Sequence, residues 1–275
     1  HQRIVVTRWR DELRLFLNGQ LQLSSRDAHR YHEALVHPAM TSTRGRVRVL
    51  ILGGGDGLAA REVFRYGDRV ASLTLVDLDP EVTRLFKEHP LLSRLSGGSL
   101  SDPRLRVLNE DAMRFVQEDS GLYEVILIDL PDPDSPDLAR LYTPAFYGLA
   151  ARRLAKGGVL ATQATSAGLT PRAFWCVLRT LEESLKQVSA PALEVRPYHA
   201  YVPSFGDWGF VLAAPRGGGP EPARLPPGLR YLAPPVLEGL FVFPPDMGRR
   251  DVEVNHLHDP VVIRYYRGDY DKTAF

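Results

Sequence analysis

The sequence has a single cysteine, Cys176, among 275 residues, which excludes a disulfide within the chain and favours a reducing compartment. No apolar run reaches the roughly 18 residues that a membrane-spanning helix needs, and no signal-peptide pattern is present. Lysine and arginine number 34 against 33 acidic residues, so the net charge of +1 creates no field that would attract nucleic acid. These absences favour a cytoplasmic protein that has no nucleic-acid partner.

The remaining composition is typical of a folded domain, with 44% hydrophobic and 24% charged residues. A length of 275 residues suits one large domain, or one main domain with a smaller partner. The first residue is His1 rather than methionine. We therefore expect either a processed product or a piece of a longer protein.

One stretch, residues 46–79, predicts a nucleotide-binding unit. Val47 to Leu52 is a short apolar run rich in β-branched residues, as in a buried parallel strand. Glycines follow at once, Leu58 to Tyr66 has helical character, and Leu73 to Val76 is a second apolar strand that ends on Asp77. This order is typical of the Rossmann βαβ unit, in which glycines let the backbone approach a ligand and the acid holds ribose hydroxyls.

A carboxylate inside the glycine turn, Asp56, is unusual for such a unit. Like charges repel, so a loop that binds pyrophosphate has no use for an acid that points at the ligand. Asp56 therefore favours a nucleoside with a positively charged tail. The alternative is that Asp56 only caps the helix that follows, as aspartates often do.

Further acids follow the next strands of the predicted sheet. Asp111 comes after a strand over Leu105 to Leu108, and Asp129 and Asp132 come after Tyr123 to Ile128. The carboxyl ends of parallel strands meet in one crevice, so these acids predict an anionic site for a cationic ligand. Asp129 and Asp132 could hold an ammonium group and accept its proton, although transfer from an amine of pKa about 10 to an aspartate of pKa about 4 is uphill by roughly 8 kcal/mol. Crowding of acids in a dry site reduces that gap. The alternative is that the two aspartates merely cap a loop.

A helix from about Ala28 carries His29, Tyr31, His32 and Glu33. Histidine and glutamate are metal ligands, but their spacing here matches no known ligand motif. We therefore predict a helix that lines a ligand pocket, and no metal.

The chain as a whole predicts an α/β fold in three parts: an N-terminal β domain over residues 1–45, a Rossmann-like domain over 46–215 and a C-terminal extension over 216–275. Within these limits the local patterns predict a hairpin turn at Asn18-Gly19 and a loop over Leu91 to Pro103. They predict one helix over Leu141 to Leu154, which Gly157 and Gly158 end, and another over Pro171 to Lys186. Antiparallel strands are predicted over Leu193 to Val202 and Gly209 to Ala213, and a short helix or strand over Val236 to Phe243. We assign no structure to Val252 to Phe275.

Several motifs in combination resemble the polyamine aminopropyltransferases, that is, the spermidine synthases. The matching segments span about residues 1–245 and are Gln2-Arg-Ile-Val-Val, Gly19-Gln-Leu-Gln22, Arg26-Asp27, Tyr31-His32-Glu33, His37-Pro38, GGGDG at 53–57, Asp111-Ala112 and Asp129-x-x-Asp132-Pro133. The resemblance implies a methyltransferase-like Rossmann fold with a small N-terminal antiparallel β domain. It also implies transfer of an aminopropyl group from the co-substrate decarboxylated S-adenosylmethionine to a polyamine, with putrescine to spermidine expected and methylthioadenosine released.

The resemblance assigns roles to individual residues. Asp129 is implied as the base that takes the proton of the acceptor amine, with Asp132 in the loop that closes the site. On the donor side, Asp56 is implied to hold the aminopropyl ammonium, Asp77 the ribose hydroxyls and Asp111 the adenine amino group. The other implied contacts are Gln2, Gly53, Gly55 and Ala112 for the donor, and Gln22, Tyr31, His32 and Phe205 for the acceptor.

The sequence departs from the family at two positions. Asp77 stands where the family commonly has glutamate, and Phe205 stands where a tyrosine would help to position the substrate, which leaves the acceptor open. The segment around Phe205, together with Leu240-Phe-Val-Phe-Pro-Pro-Asp-Met247, looks more like a bacterial branch that is fused to an N-terminal transmembrane region. We therefore expect a soluble catalytic portion on the cytoplasmic face of the inner membrane, and a homodimer or homotetramer as in the family.

Two other functions are compatible with the residues. A methyltransferase that uses intact S-adenosylmethionine shares the fold and the ribose and adenine acids, but Asp56 and Asp129 suit a donor that lacks a carboxylate. A non-catalytic polyamine or nucleoside sensor is left open by Phe205. The pair Asp129 and Asp132 speaks against it, because a sensor needs no base.

Overall fold

The computed structural model describes residues 2–187 and 193–273, and contains one small and one large β-sheet. The strands are β1 (Ile4–Trp9), β2 (Glu12–Leu17), β3 (Gln20–Ser24), β4 (Val47–Gly53), β5 (Val70–Val76), β6 (Leu105–Leu108), β7 (Tyr123–Asp129), β8 (Leu154–Ser166), β9 (Leu193–Val202) and β10 (Gly206–Pro215). The helices are α1 (Ala28–Thr41), α2 (Leu58–Phe64), α3 (Pro80–Glu88), α4 (Pro90–Leu95), α5 (Ala112–Glu118), α6 (Pro136–Ala139), α7 (Pro144–Arg152), α8 (Pro171–Gln187), α9 (Pro234–Gly239) and α10 (Val261–Thr273). His1 and residues 274–275 of the predicted extension lie outside the described residues.

The large sheet has the strand order β6-β5-β4-β7-β8-β10-β9. Its first five strands are parallel, and β10 and β9 complete it as an antiparallel pair. Strands β4 and β7 are apolar along most of their length and buried, because helices cover both faces of the sheet there. In their register Gly53 pairs with Asp129, so the glycine turn and the acid after β7 lie at the same edge.

The small sheet is antiparallel, with the order β1-β2-β3, as predicted. Asn18 and Gly19 connect β2 to β3, and both have positive φ angles of 51° and 86°. A two-residue turn of this handedness matches the twist of the strands it joins, which explains the Asn-Gly pair. The small sheet therefore forms from a local sequence signal.

Helix α1 connects the small sheet to the large one and packs against α2, β8 and β9. Glu33 of this helix is completely buried, and its carboxylate accepts hydrogen bonds of 2.9 Å from the backbone amides of residues 230–232. The three amides satisfy a charge that would otherwise be costly to bury. Glu33 therefore fixes the segment before α9 to the helix.

Two local predictions need correction. The predicted loop over Leu91 to Pro103 contains α4, a six-residue helix with proline at its first position. Gly157 and Gly158 do not end a helix; α7 ends at Arg152, and the two glycines form an irregularity in β8 where its register with β7 shifts. A Cβ on Gly158 would lie 3.0 Å from the Tyr123 carbonyl oxygen, so the glycine serves close strand packing.

The segment after β10 supplies α9 and α10. Helix α9 occupies part of the predicted short element, and α10 occupies most of the segment to which the sequence assigned no structure. Helix α10 packs against α8. None of the helices described here is long and apolar enough to cross a membrane.

Candidate active site

The glycine turn brings three segments into close contact at the carboxyl edge of the sheet. Gly53 has a φ angle of +88°, and an added Cβ would overlap the carbonyl oxygen of Asp129. A Cβ on Gly55 would lie 2.6 Å from the carboxylate of Asp77, to which the Gly55 amide donates a hydrogen bond of 2.9 Å. Glycine is therefore required at both positions, because β5, the turn and β7 meet without room for a side chain.

Asp77 lies directly after β5 with both oxygens engaged. One accepts from the Gly55 amide and the other from the Asp79 amide, each at 2.9 Å. Burial raises the pKa of Asp77, with a smaller contribution from the nearby Asp56, and the two amide bonds only partly offset this. The carboxylate is held rigidly and keeps lone pairs for a ligand.

Asp56 uses its two oxygens differently. Oδ1 accepts a hydrogen bond of 2.9 Å from the amide of Leu58, the first residue of α2, although the N-cap position itself is Gly57. Oδ2 lies 4.0 Å from Nε2 of His32. The other ring nitrogen of His32 is 2.7 Å from the Ala28 carbonyl oxygen and therefore carries a proton. Asp56 thus starts the helix with one oxygen and faces the α1 side of the crevice with the other.

Asp129 ends β7 beneath helix α1. Its Oδ1 accepts a hydrogen bond of 2.6 Å from the Tyr31 hydroxyl. Burial raises the pKa of Asp129 to about 6; Asp56 and Asp77 add to the increase, while His32 and the Tyr31 hydroxyl oppose it. The carboxylate is therefore more basic than an ordinary aspartate while still being ionised near neutral pH.

Asp132 lies three residues further along, in the loop before α6. Its Oδ2 accepts a hydrogen bond of 2.8 Å from the Tyr266 hydroxyl of α10, and its Oδ1 accepts one of 3.4 Å from the side-chain amide of Gln163 in β8. Burial raises the pKa of Asp132 to about 6 in spite of these two donors. Sequence reasoning missed both donors. Gln163 could have been suspected as a polar residue near the carboxyl end of a strand, whereas Tyr266 carries no local signal.

Asp111 has a different environment from the other acids. It caps α5 through the Arg114 amide at 3.0 Å and forms an ion pair with Arg140, which sequence reasoning also missed. Burial opposes the charged form, but Arg140 and the amides outweigh it and lower the pKa of Asp111. Ala112 is buried as the first residue of α5. Because Arg140 compensates the charge of Asp111, this corner suits a neutral polar group better than a cation.

An aromatic wall lies against Tyr31. Its ring centroid is 6.3 Å from Phe205, 6.2 Å from Trp208 and 5.3 Å from Phe210. The indole nitrogen of Trp208 is buried and has no hydrogen-bond partner among the described residues. The wall provides apolar contact for a methylene chain next to the acids.

The predicted residues of the small sheet lie on separate elements. Gln2 precedes β1 and Gln22 lies in β3, both partly buried. Within the part of the chain that the structure describes, neither side chain bonds to the acids, and their roles stay predictions. No group of three or more histidine, cysteine or acidic side chains in residues 2–187 and 193–273 is arranged to hold a metal ion.

The charge distribution decides what the crevice can bind. No lysine or arginine of the described ranges forms an ion pair with Asp77, Asp129 or Asp132, and the donors around them are backbone amides, tyrosine hydroxyls and one glutamine amide. These three carboxylates are partly exposed and all their hydrogen-bond donors are neutral, which favours a cationic ligand that can reach them and supply the missing charge. The site can therefore hold an ammonium group and accept a proton from it.

Comparison with known proteins gives concordant results. The family model described as "Spermine/spermidine synthase domain" matches residues 28–217. Polyamine aminopropyltransferase 2 of Ralstonia nicotianae is 46% identical over 98% of this chain and 52% of its own length. The polyamine aminopropyltransferase of Leptospira interrogans is 44% identical over 99% of this chain and 53% of its own length. A crystal structure of spermidine synthase in complex with the transition state analogue AdoDATO superposes with a TM-score of 0.79 at 25% identity, covering 88% of this chain and 82% of that one. The chain spans about half the length of the curated relatives it matches.

Proposed function

Because the chain belongs to the spermine/spermidine synthase family, we propose that it transfers an aminopropyl group from decarboxylated S-adenosylmethionine to a polyamine amine. Putrescine is the proposed acceptor, with spermidine and methylthioadenosine as products. The observation that carries the proposal is the pair of partly buried aspartates, Asp129 and Asp132, which accept hydrogen bonds from neutral donors and form no ion pair with a lysine or arginine of the described residues. The ammonium groups of a diamine match both.

Asp129 is the proposed general base. With its pKa at about 6, the difference from an amine of pKa about 10 is about 4 units, or roughly 5 kcal/mol instead of roughly 8 for an ordinary aspartate. The proton leaves the amine as the new C–N bond forms. Formation of this bond makes the nitrogen more acidic, which offsets the remaining difference in pKa between the amine and Asp129. The leaving group is a neutral thioether and needs no acid. The other task of the site is to hold the amine behind the propyl carbon.

The donor is proposed to lie along the glycine turn. Asp77 would hold the ribose hydroxyls, and Asp56 would attract the aminopropyl ammonium. Asp111, whose charge Arg140 already compensates, would accept from the neutral adenine amino group beside Ala112. Gln2, Gly53 and Gly55 complete the proposed donor contacts.

The acceptor is proposed to lie between α1 and the loop that carries Asp132. Tyr31 and Phe205 would contact its methylene chain, and His32 and Gln22 would line the channel. Phe205 supplies no hydroxyl, so orientation of the acceptor depends on the carboxylates.

The test is mass spectrometry of the products formed from decarboxylated S-adenosylmethionine and a panel of putrescine, cadaverine and spermidine. We expect methylthioadenosine together with one amine heavier by an aminopropyl group. Asp129→Asn should lower turnover by about 10²- to 10⁴-fold while methylthioadenosine binds as before, because a general base contributes that much. Asp137→Asn, the same change at an exposed position of α6, is the matched control and should retain activity.

Two outcomes would reject the proposal. A methylated product formed with intact S-adenosylmethionine would identify a methyltransferase instead. Donor and amine binding without any product would identify a sensor.

We also propose a homodimer or homotetramer that works at the cytoplasmic face of the inner membrane. The assembly is proposed from the family resemblance, and the location from the resemblance of the segment around Phe205 and of residues 240–247 to the membrane-fused branch. Light scattering of the purified chain tests the assembly. Fractionation of cells that express the full gene product tests the location, and recovery of all activity in the soluble fraction would reject a tether.

A further inference from the structure

Helix α10 is anchored to the Rossmann-like domain by a buried asparagine. The Nδ2 of Asn255 donates to the carbonyl oxygens of Ala139 at 3.0 Å and Tyr142 at 2.9 Å, just after the loop that carries Asp132. Its Oδ1 accepts a hydrogen bond of 3.3 Å from the backbone amide of Val262, in the first turn of α10. One fully buried side chain therefore links the start of α10 to the segment that follows the active-site loop.

An ion pair fixes the other end of the helix. Asp269 accepts a hydrogen bond of 2.6 Å from the Arg172 side chain and one of 2.9 Å from the Arg172 backbone amide, at the start of α8. Asp269 is mostly buried, so this pair has a defined geometry. With both ends fixed, the position of α10 relative to the active site is determined.

From this position α10 contacts the active-site loop through two adjacent residues. The Tyr266 hydroxyl donates a hydrogen bond of 2.8 Å to Oδ2 of Asp132, and Nη2 of Arg267 donates one of 2.8 Å to the carbonyl oxygen of Asp134. Gln163 donates to the other oxygen of Asp132 from the opposite side. The carboxylate is thus oriented from two directions by neutral groups, which leave its charge available.

We propose that Tyr266 is a positioning residue of the acceptor site, which holds Asp132 in the orientation that binds the ammonium group of the amine. The inference rests on the proposed function, since it is that function which brings an amine to Asp132. The family match ends at residue 217, so the helix that carries Tyr266 lies outside the matched region. Residues 261–273 thereby gain a role in the reaction rather than only in packing.

The protonation chemistry agrees with this role. A donor to a carboxylate favours its charged form, so loss of the Tyr266 hydroxyl leaves burial less opposed and raises the pKa of Asp132 further. Burial also raises the pKa of Tyr266 itself, so its hydroxyl remains a donor over the working range of pH. The other titratable groups that face Asp132 are Asp134 on its own loop, Tyr31 on α1, Tyr142 before α7 and Tyr270 on α10.

The test compares two single-atom deletions on the same helix. Tyr266→Phe removes the hydroxyl and keeps the buried ring. Tyr265→Phe is the matched control, because its hydroxyl bonds to Glu253 at 3.1 Å and not to Asp132. Calorimetry measures the binding of putrescine, cadaverine and spermidine to each protein saturated with methylthioadenosine, at a series of pH values.

We expect Tyr266→Phe to weaken amine binding by roughly tenfold, since a hydrogen bond to a charged group is lost. The pH below which binding fails should also move upward, which a purely structural role would not cause. Methylthioadenosine affinity should stay the same, and Tyr265→Phe should match the wild type throughout.

Two results would overturn the inference: amine affinity and pH dependence unchanged in Tyr266→Phe, or no binding of the three amines by the wild type. Turnover measured in parallel separates this inference from the proposed function. Amine binding that depends on Tyr266 but yields no aminopropyl product would refute the reaction and leave the role of Tyr266 supported.

Discussion

The bond between Tyr31 and Asp129 allows a quantitative prediction for Tyr31→Phe. The hydroxyl donates a hydrogen bond of 2.6 Å to a partly buried carboxylate, and a hydrogen bond to a charged group is worth about 1.5–3 kcal/mol. At 1.36 kcal/mol per pKa unit, its loss raises the pKa of Asp129 by about 1 to 2 units. The starting value is about 6, so the base would become half-ionised only near or above neutral pH. The phenyl ring keeps its contacts with the aromatic wall.

The assay is the pH dependence of kcat/KM, which reports the ionisation of the free enzyme. The proton acceptor must be ionised, so activity rises with pH through the pKa of Asp129. In Tyr31→Phe the midpoint of this rise should move upward by about 1 to 2 pH units, with activity recovering at high pH. The control is Tyr198→Phe, which removes a hydroxyl that bonds to the Ala34 carbonyl oxygen of the same helix at 3.1 Å. An unchanged midpoint, or an equal shift in both variants, would refute the reasoning.

The remaining predictions concern stability, measured by urea denaturation. Gly53→Ala should lower the free energy of unfolding by about 3 kcal/mol or more, because its Cβ would overlap the end of β7. Gly67→Ala, also at positive φ but with open space around it, should lower it by about 1 kcal/mol. Equal losses in the two variants would contradict this. Glu33→Ala should lower the free energy of unfolding by about 3 kcal/mol or more, since three backbone amides lose their buried acceptor. A decrease below about 1 kcal/mol would show that water replaces the carboxylate as the acceptor. Burial lowers the pKa of His199, but bonds to Asp207 and a backbone carbonyl outweigh it and raise the pKa overall. Protonated His199 therefore adds to the free energy of unfolding at pH values below the ordinary histidine pKa. This contribution is lost as the pH rises through the raised pKa, and His199→Gln should remove this pH dependence of stability.

The sequence predicted the parts of the fold that have local causes. The α/β class, the antiparallel small sheet and the family are confirmed, because a buried apolar strand such as β4 and an Asn-Gly turn act over a few neighbouring residues. The glycines of residues 157–158 misled the prediction, since the same residue that ends a helix also permits a shifted strand pairing. Short helices such as α4 were missed because six residues give too little periodicity.

The acids of the site could be predicted by position, but their environment could not. Asp77 and Asp129 follow strands, and strand ends converge by the topology of a parallel sheet. Their partners come from distant segments: Tyr31 is 98 residues from Asp129, and Tyr266 is 134 residues from Asp132. No pattern in the sequence links such pairs, because the contact exists only after the whole domain has packed.

The partners of Glu62 differ from those of Asp129 and Asp132. Glu62 has two arginines and a histidine around it, and the pKa of this carboxyl falls to about 2 despite the burial that opposes it. Asp129 and Asp132 are only partly buried, whereas Glu62 is completely buried, and they accept hydrogen bonds from hydroxyl and amide groups alone. Desolvation raises both of their pKa values to about 6. Arginine thus compensates the enclosed charge of Glu62, whereas no arginine of the described residues pairs with Asp129 or Asp132. A site left short of positive charge in this way gains most from a ligand that carries it, and this physical difference, more than the number of acids, favours an amine as the substrate.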